Sequence, residues 1–157
     1  MFTDGDIDGV KVRRLARHQD GRGWLMEIFR TDELAGEFHP AMSYISLTRP
    51  GVGRGPHEHA DQADYFCFAG PSDFMVRLWD NREGSPTFGR RMEIKAGESD
   101  PMAILVPAGV VHGYRNVGDV DGLVINCPNR LFKGEGRKGP VDEIRHEGRE
   151  DSPFRMD

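Results

Sequence analysis

The chain has 157 residues, 20 glycines, ten prolines and a formal net charge of −5, enough for one domain with a sizeable core and too little for two. An acidic balance argues against nucleic acid as the main partner, and the absence of any run of about 18 apolar residues argues against a helical membrane span. The N-terminus, MFTDGDIDGV, lacks the apolar stretch of a secretory leader, so a cytoplasmic protein is expected.

Taken in chain order, short apolar bursts bounded by turn residues predict strands at 10–16, 24–30, 41–49, 64–70, 73–80, 90–96, 103–109 and 122–127. Several are continuously apolar, as in strands covered on both faces, and their spacing of roughly ten residues favours an all-β barrel or sandwich. Two segments read as short peripheral helices: 31–38, with Thr31 as N-cap, and 141–148. One domain over 1–157 is expected, with its core at about 9–130 and a polar tail at 131–157 that lies on the surface and frays at its end. Cys67 and Cys127 fall in apolar stretches and read as buried, reduced thiols.

The strongest signal is GVGRGPHEHADQADYFCFAG, followed some forty residues later by PAGVVHGYRN. In a strand, His57 and His59 share a face, and the Pro-x-Gly turn delivers His112 to the same point, with Asn116 capping the turn. Together these predict a cupin-type double-stranded β-helix barrel (jelly roll) with its site inside. Three imidazoles and the Asp64 carboxylate suit a divalent transition metal, Zn, Fe, Mn, Ni or Cu, with Gln62 competing for the carboxylate's place. A metal-free site, in which one histidine is a general base, and a purely structural histidine pair are the other readings. The glycine-rich GEGRKG (134–139) reads as a flexible turn, because no strand–loop–helix context surrounds it. Trp24 and Trp79 read as core or pocket walls, and Phe29 and Phe88 as core. His18, His39 and His146 read as surface residues. Seventeen arginines against four lysines suit phosphate recognition through the planar guanidinium fork.

Four motifs occur in one order: DGRGWLMEIF (20–29), RGPH (54–57), SPTFG (85–89) and PAGVVHGY (107–114). This order resembles the dTDP-4-dehydrorhamnose 3,5-epimerase family over roughly residues 9 to 130. The resemblance implies a cofactor-free epimerase or isomerase, homodimeric, acting on a nucleotide-linked 4-keto sugar. His57 takes the place of the base that removes protons next to the carbonyl, Arg22 and Arg54 match arginines that hold the diphosphate, and His112 matches a pocket histidine. Arg22 is placed so as to reach a neighbouring subunit's pocket. His59, Gln62 and Tyr114 complete the substrate-binding set, and His112 and Asp64 the catalytic one. Two departures stand out. Gln62-Ala63-Asp64 replaces a Q-x-Lys whose lysine would stabilise an enolate, and GLVINCPNRLF lacks the tyrosine that acts as the opposing acid. The metal reading, with His57, His59, Asp64 and His112 as ligands, therefore stays open beside the epimerase, as a dioxygenase or other small-molecule enzyme, and so does a sugar-binding cupin without catalysis.

Overall fold

The computed structural model describes residues 1–34, 36 and 38–157. Its strands in chain order are β1 (Thr3–Asp4), β2 (Lys11–Arg14), β3 (Arg17–Asp20), β4 (Gly23–Met26), β5 (Tyr44–Thr48), β6 (Gly53–Glu58) and β7 (Asp64–Gly70), then β8 (Asp73–Asp80), β9 (Arg90–Gly97), β10 (Met102–Val106), β11 (Val110–Asn116), β12 (Gly122–Asn126) and β13 (Ile144–Arg145). Six of them form one sheet in the order β1-β9-β8-β11-β6-β13, five a second in the order β2-β10-β7-β12-β5, and β3 and β4 a separate hairpin. This is the expected jelly roll, two sheets facing each other across one core.

Alternation decides what each strand contributes to the space between the sheets. On β7, Phe66 and Phe68 point inward, and on β8 Phe74, Val76 and Leu78 meet them, joined by Ile104, Val106 and Val124. The inward aromatic rings pack edge-on, Phe68 against Phe74 at 5.5 Å and against Tyr114 at 5.5 Å between centroids. The opposite phase of β7 and β10 places Tyr65, Cys67, Ala103 and Leu105 on the outer face, where Leu15, Ile28, Phe29 and Phe38 cover them. Both cysteines are free and buried, as expected, and burial pushes the Cys67 thiol up to about 12.

Several expectations are corrected. Residues 31–34 form turns and not a helix, while Ala35 and Glu37 lie outside the described residues; residues 141–148 contain strand β13, and the only helical turn described is a 3₁₀ turn at Glu135–Arg137. The tail does not fray at its end: β13 pairs with β6 through Ile144↔Glu58 and Arg145↔His57, and Phe154, 5% exposed, is buried against Trp79 and His146. His146 is accordingly no surface residue, because its Nε2 lies 2.9 Å from the buried Glu58 carboxylate. Trp79 is core, but Trp24 and Phe88 are half-exposed, Trp24 with the Arg17 guanidinium 4.8 Å over its ring. Asn116 does hold its turn, donating to Thr48 O and Val120 O and accepting from Ser72 Oγ.

Candidate active site

The inward phase changes from apolar to polar at one end of the barrel. Along β7 the sequence Phe68, Phe66, Asp64 runs from core to site; on β11 it is Tyr114 then His112, on β12 Val124 then Asn126, and on β5 Thr48, Ser46 then Tyr44. His57 is brought opposite His112 by the β6–β11 register, and His59 follows directly after β6. Gly55, with φ 77°, is required there: a Cβ would lie 2.7 Å from His112 O. Gly109 (φ 76°) makes the turn before β11 and donates its N–H to His59 O at 2.8 Å.

The three predicted imidazoles converge. Their ligand-capable atoms lie within 4.8 Å of one another, and the rings of His57 and His112 are 4.5 Å apart. Asp64, 1% exposed, sits behind them. Its Oδ1 accepts from Gln62 Nε2 at 2.9 Å and Asn126 Nδ2 at 2.8 Å, while its Oδ2 is 3.1 Å from His59 Nε2. Both oxygens of the Asp64 carboxylate are therefore engaged. Burial alone would raise its pKa, but the neighbouring His112 and His59 imidazoles hold it far below the usual carboxylate range. Burial likewise opposes the charge on His59, yet the Asp64 partner overrules it and raises the pKa. His57 has no such partner: burial, then the neighbouring His112 and His59, push it down to about 3, and the nearest carboxylate oxygen is Glu143 Oε1, 4.0 Å from its Nδ1.

Both deeper rings are oriented from outside by carbonyls. His112 Nδ1 donates to Val110 O at 2.9 Å, and His59 Nδ1 donates to Asp142 O. With Nδ1 so used, Nε2 of each ring faces the site. His112 Nε2 is buried and lies 3.3 Å from Asp64 Oδ2 without the alignment of a hydrogen bond. The Asp142 carboxylate also accepts the N–H groups of Ala60, Asp61 and Gln62 at 2.8, 2.8 and 2.9 Å, tying the tail to the loop that carries His59.

These groups line a cavity of about 870 Å³, within the range of small-molecule sites. His57, His59, Gln62, Arg54 and Tyr114 line it, whereas His112 and Asp64 stand behind the wall. Tyr114 Oη bonds Ser46 Oγ at 3.0 Å, and Arg54 is directed by Thr48 Oγ1 and Leu47 O at 3.0 and 2.8 Å. Arg22 is elsewhere, on the β3–β4 hairpin, fully solvated and paired with Asp20 at 2.5 Å. The site also holds groups that the sequence reading passed over. Tyr44 Oη accepts from Asn126 Nδ2 at 3.0 Å, which links a pocket phenol to Asp64, and burial pushes this phenol up to about 12. The period-two phase of 41–49 already put Tyr44 with Ser46 and Thr48. Glu143 and Asp142 had no comparable signal in their polar tail.

A converging imidazole cluster, a polar-walled cavity and two β-sheets packed face to face define a small-molecule enzyme of the cupin jelly-roll class. The chain belongs to the dTDP-4-dehydrorhamnose 3,5-epimerase family, whose profile it matches over residues 4–138, and it is a carbohydrate epimerase. It is 40% identical over 132 residues, 83% of each chain, to a probable low-salt glycan biosynthesis epimerase, Agl13, of Haloferax volcanii. It is also 40% identical to the spore coat polysaccharide biosynthesis protein SpsL of Bacillus subtilis, covering 76% of this chain and 78% of the relative. In fold it is similar to the crystal structure of a dTDP sugar isomerase from Desulfovibrio desulfuricans, with a TM-score of 0.79, 23% identity, and 95% and 91% of the two chains covered.

Proposed function

We propose that the protein epimerises a nucleotide-linked 4-keto sugar by removing a proton next to the carbonyl, with His57 as the base. The observation that carries this is a neutral imidazole exposed to the cavity and flanked by no hydrogen-bonded acid. A pKa near 3 leaves its lone pair free at every physiological pH. The same burial makes the imidazolium costly, and Glu143, 4.0 Å away, is placed to offset that cost. In the step, the C–H electron pair moves to the carbonyl oxygen as an enolate and the proton goes to His57. His59, whose pKa Asp64 raises, faces the cavity where the family's lysine is lacking and stabilises the enolate oxygen as a hydrogen-bond donor. Tyr44, entering from β5, replaces the tyrosine absent from the 122–132 segment and returns a proton to the opposite face. Deuterium from D₂O should enter a dTDP-4-keto sugar in the presence of the protein and should cease to enter with His57→Ala; undiminished exchange in that variant refutes the assignment.

A second reading, divalent-metal binding by the same rings, is favoured by one observation. Two Nε2 atoms oriented by backbone carbonyls and a carboxylate oxygen meet with a ring nitrogen left unpartnered, which is how metal-ligating histidines are held. His57, His59 and His112 would hold a Zn, Fe, Mn, Ni or Cu ion, with Asp64 behind them orienting His59, and the ion would supply Lewis-acid chemistry. His57 cannot be ligand and base at once. Elemental analysis of untagged protein separates the readings: near-stoichiometric metal, lost on His59→Ala, selects the second, and its absence from protein that catalyses exchange selects the first.

A cytoplasmic homodimer completes the proposal. The outer face of the five-stranded sheet exposes Val12, Ile45, Leu47 and Leu123, and β2 and β5 are its free edges; a second copy would cover both. No helix is long and apolar enough to cross a membrane among the described residues.

A further inference from the structure

Asn126 closes a polar chain that the proposed reaction does not yet use. The β12 register sets it opposite Tyr44 on β5 and opposite Phe66 on β7, and it is 1% exposed. Directly opposed residues of an antiparallel pair share a face, so Asn126 and Tyr44 point to the same side of the sheet. The direction of the Asn126 amide is fixed by its neighbours. Its Oδ1 accepts from the Tyr65 N–H at 3.1 Å, and its Nδ2 donates to Asp64 Oδ1 at 2.8 Å. A backbone N–H only donates and an ionised carboxylate only accepts. Turning the amide over would set oxygen against oxygen and N–H against N–H. The second Nδ2 proton goes to Tyr44 Oη at 3.0 Å. Both protons of the amide are therefore committed, one to the carboxylate behind His59 and one to the phenol.

This contact constrains the phenol's own proton. The bond from Asn126 fills a lone pair of Tyr44 Oη, so the O–H is directed away from Asn126, and it meets no acceptor among the described residues. Tyr44 lines the cavity and is 46% exposed, which leaves the cavity as the open direction. We propose that Asn126 is a positioning residue for the protonation step: it turns the Tyr44 O–H toward the substrate and holds the phenolate that forms when the proton leaves. This rests on the reading of Tyr44 as the acid and deepens it. In the step, the Tyr44 O–H bond breaks and its proton joins the enolate carbon through the enolate's electron pair. The carbonyl re-forms, and the negative charge passes to Oη until solvent returns a proton. An N–H aimed at an oxygen that gains charge binds it more tightly in the transition state than before it. Burial pushes the phenol up to about 12 and the Asn126 bond opposes that push. Because Asn126 also holds Asp64, one buried amide ties the acid to the counter-charge of His59.

A double-mutant cycle on the full-length protein with a dTDP-4-keto sugar tests this, with product chirality and deuterium wash-in read separately. Asn126→Ala should lower kcat for epimer formation by about tenfold or more, with KM within about twofold, since a hydrogen bond to a charged group is lost. Deuterium exchange by His57 should persist. Asn126→Ser, whose hydroxyl still donates one bond, should recover part of the loss. In a Tyr44→Phe background, Asn126→Ala should lower the residual rate by less than about twofold, because a residue that acts through Tyr44 has nothing left to act on. An equal loss in both backgrounds means that Asn126 serves only the packing of the site, and the inference fails while the epimerase reading stands. If Tyr44→Phe itself leaves epimer formation intact, the reading of Tyr44 as the acid falls and takes the inference with it. Should Asn126→Ala fail to fold, proton–nitrogen NMR of asparagine-labelled wild type and Tyr44→Phe decides the contact. Loss of the phenol should move one Asn126 Nδ2 proton resonance and leave the one held by Asp64 in place; if neither moves, the inference is overturned.

Discussion

Replacing Asp64 by asparagine tests the buried pair on which the electrostatics of the site depend. The shape is nearly preserved and one oxygen remains to accept from Gln62 and Asn126. The other position, however, becomes an NH₂ group 3.1 Å from His59 Nε2 and 3.3 Å from His112 Nε2. His59 then loses the carboxylate that raises its pKa, and a ring that is 9% exposed is left without a counter-charge. Removing one member of a buried pair costs about 3 to 5 kcal/mol, and the retained oxygen places this case at the lower end, about 3 kcal/mol. For a chain of this length that corresponds to a melting point lower by roughly 6–12 °C. The pH dependence carries a definite sign. Asp64's contribution is present above its unfolded pKa of 3.8 and is lost as pH falls through its lowered folded value. That of His59 is complete below 6.5 and is lost as pH rises through its raised folded value. Urea titrations should therefore show the widest gap between wild type and variant from pH 4 to 6.5 and a smaller one at pH 9. A loss below about 1 kcal/mol, or one equal at pH 5 and 9, refutes the charged His59–Asp64 pair.

Tyr44→Phe should lower epimer formation by about 100-fold or more while leaving deuterium exchange by His57 in place, as read by comparing NMR wash-in with product chirality; equal loss of both would remove Tyr44 from the acid's role. Asp142→Ala should cost about 2 kcal/mol in urea denaturation, since three N–H groups lose a charged acceptor but water reaches Ala60 and Asp61; Asp142→Asn should fall between, and no loss would mean that the tail does not hold the His59 loop. Phe154→Ala should cost about 3 kcal/mol and expose the tail to limited proteolysis, and a tail that stays protected would refute its anchoring on Trp79.

The site was legible where local pattern and tertiary position coincide. His57 and His59 are two residues apart at the end of one strand, and the Pro-x-Gly turn fixes the phase of β11, so short-range geometry alone brings His112 to them. Tyr44 was hidden because its strand was recognised without its phase being assigned. The helix expected at 141–148 failed for a tertiary reason: VDEIRHEG has helical periodicity, but β6 offers an unpaired edge, and pairing Ile144 and Arg145 there satisfies backbone groups that water would otherwise have to serve. GEGRKG was judged by its lack of a helix behind it, whereas its place on the cavity wall depends on where β12 ends.

The amino-acid order by itself determined that this is an all-β barrel with histidines near one end, because period-two burial and glycine turns are properties of neighbouring residues. Only the tertiary structure decided how the pKa values of His57 and His59 part, the first lowered and the second raised. Asp64 reaches His59 across two sheets, and a desolvated carboxylate 3.1 Å away raises the pKa of that imidazole against the opposing effect of burial. The same packing left His57, two residues before His59 on the same face of the chain, with its pKa lowered and its ring on the cavity.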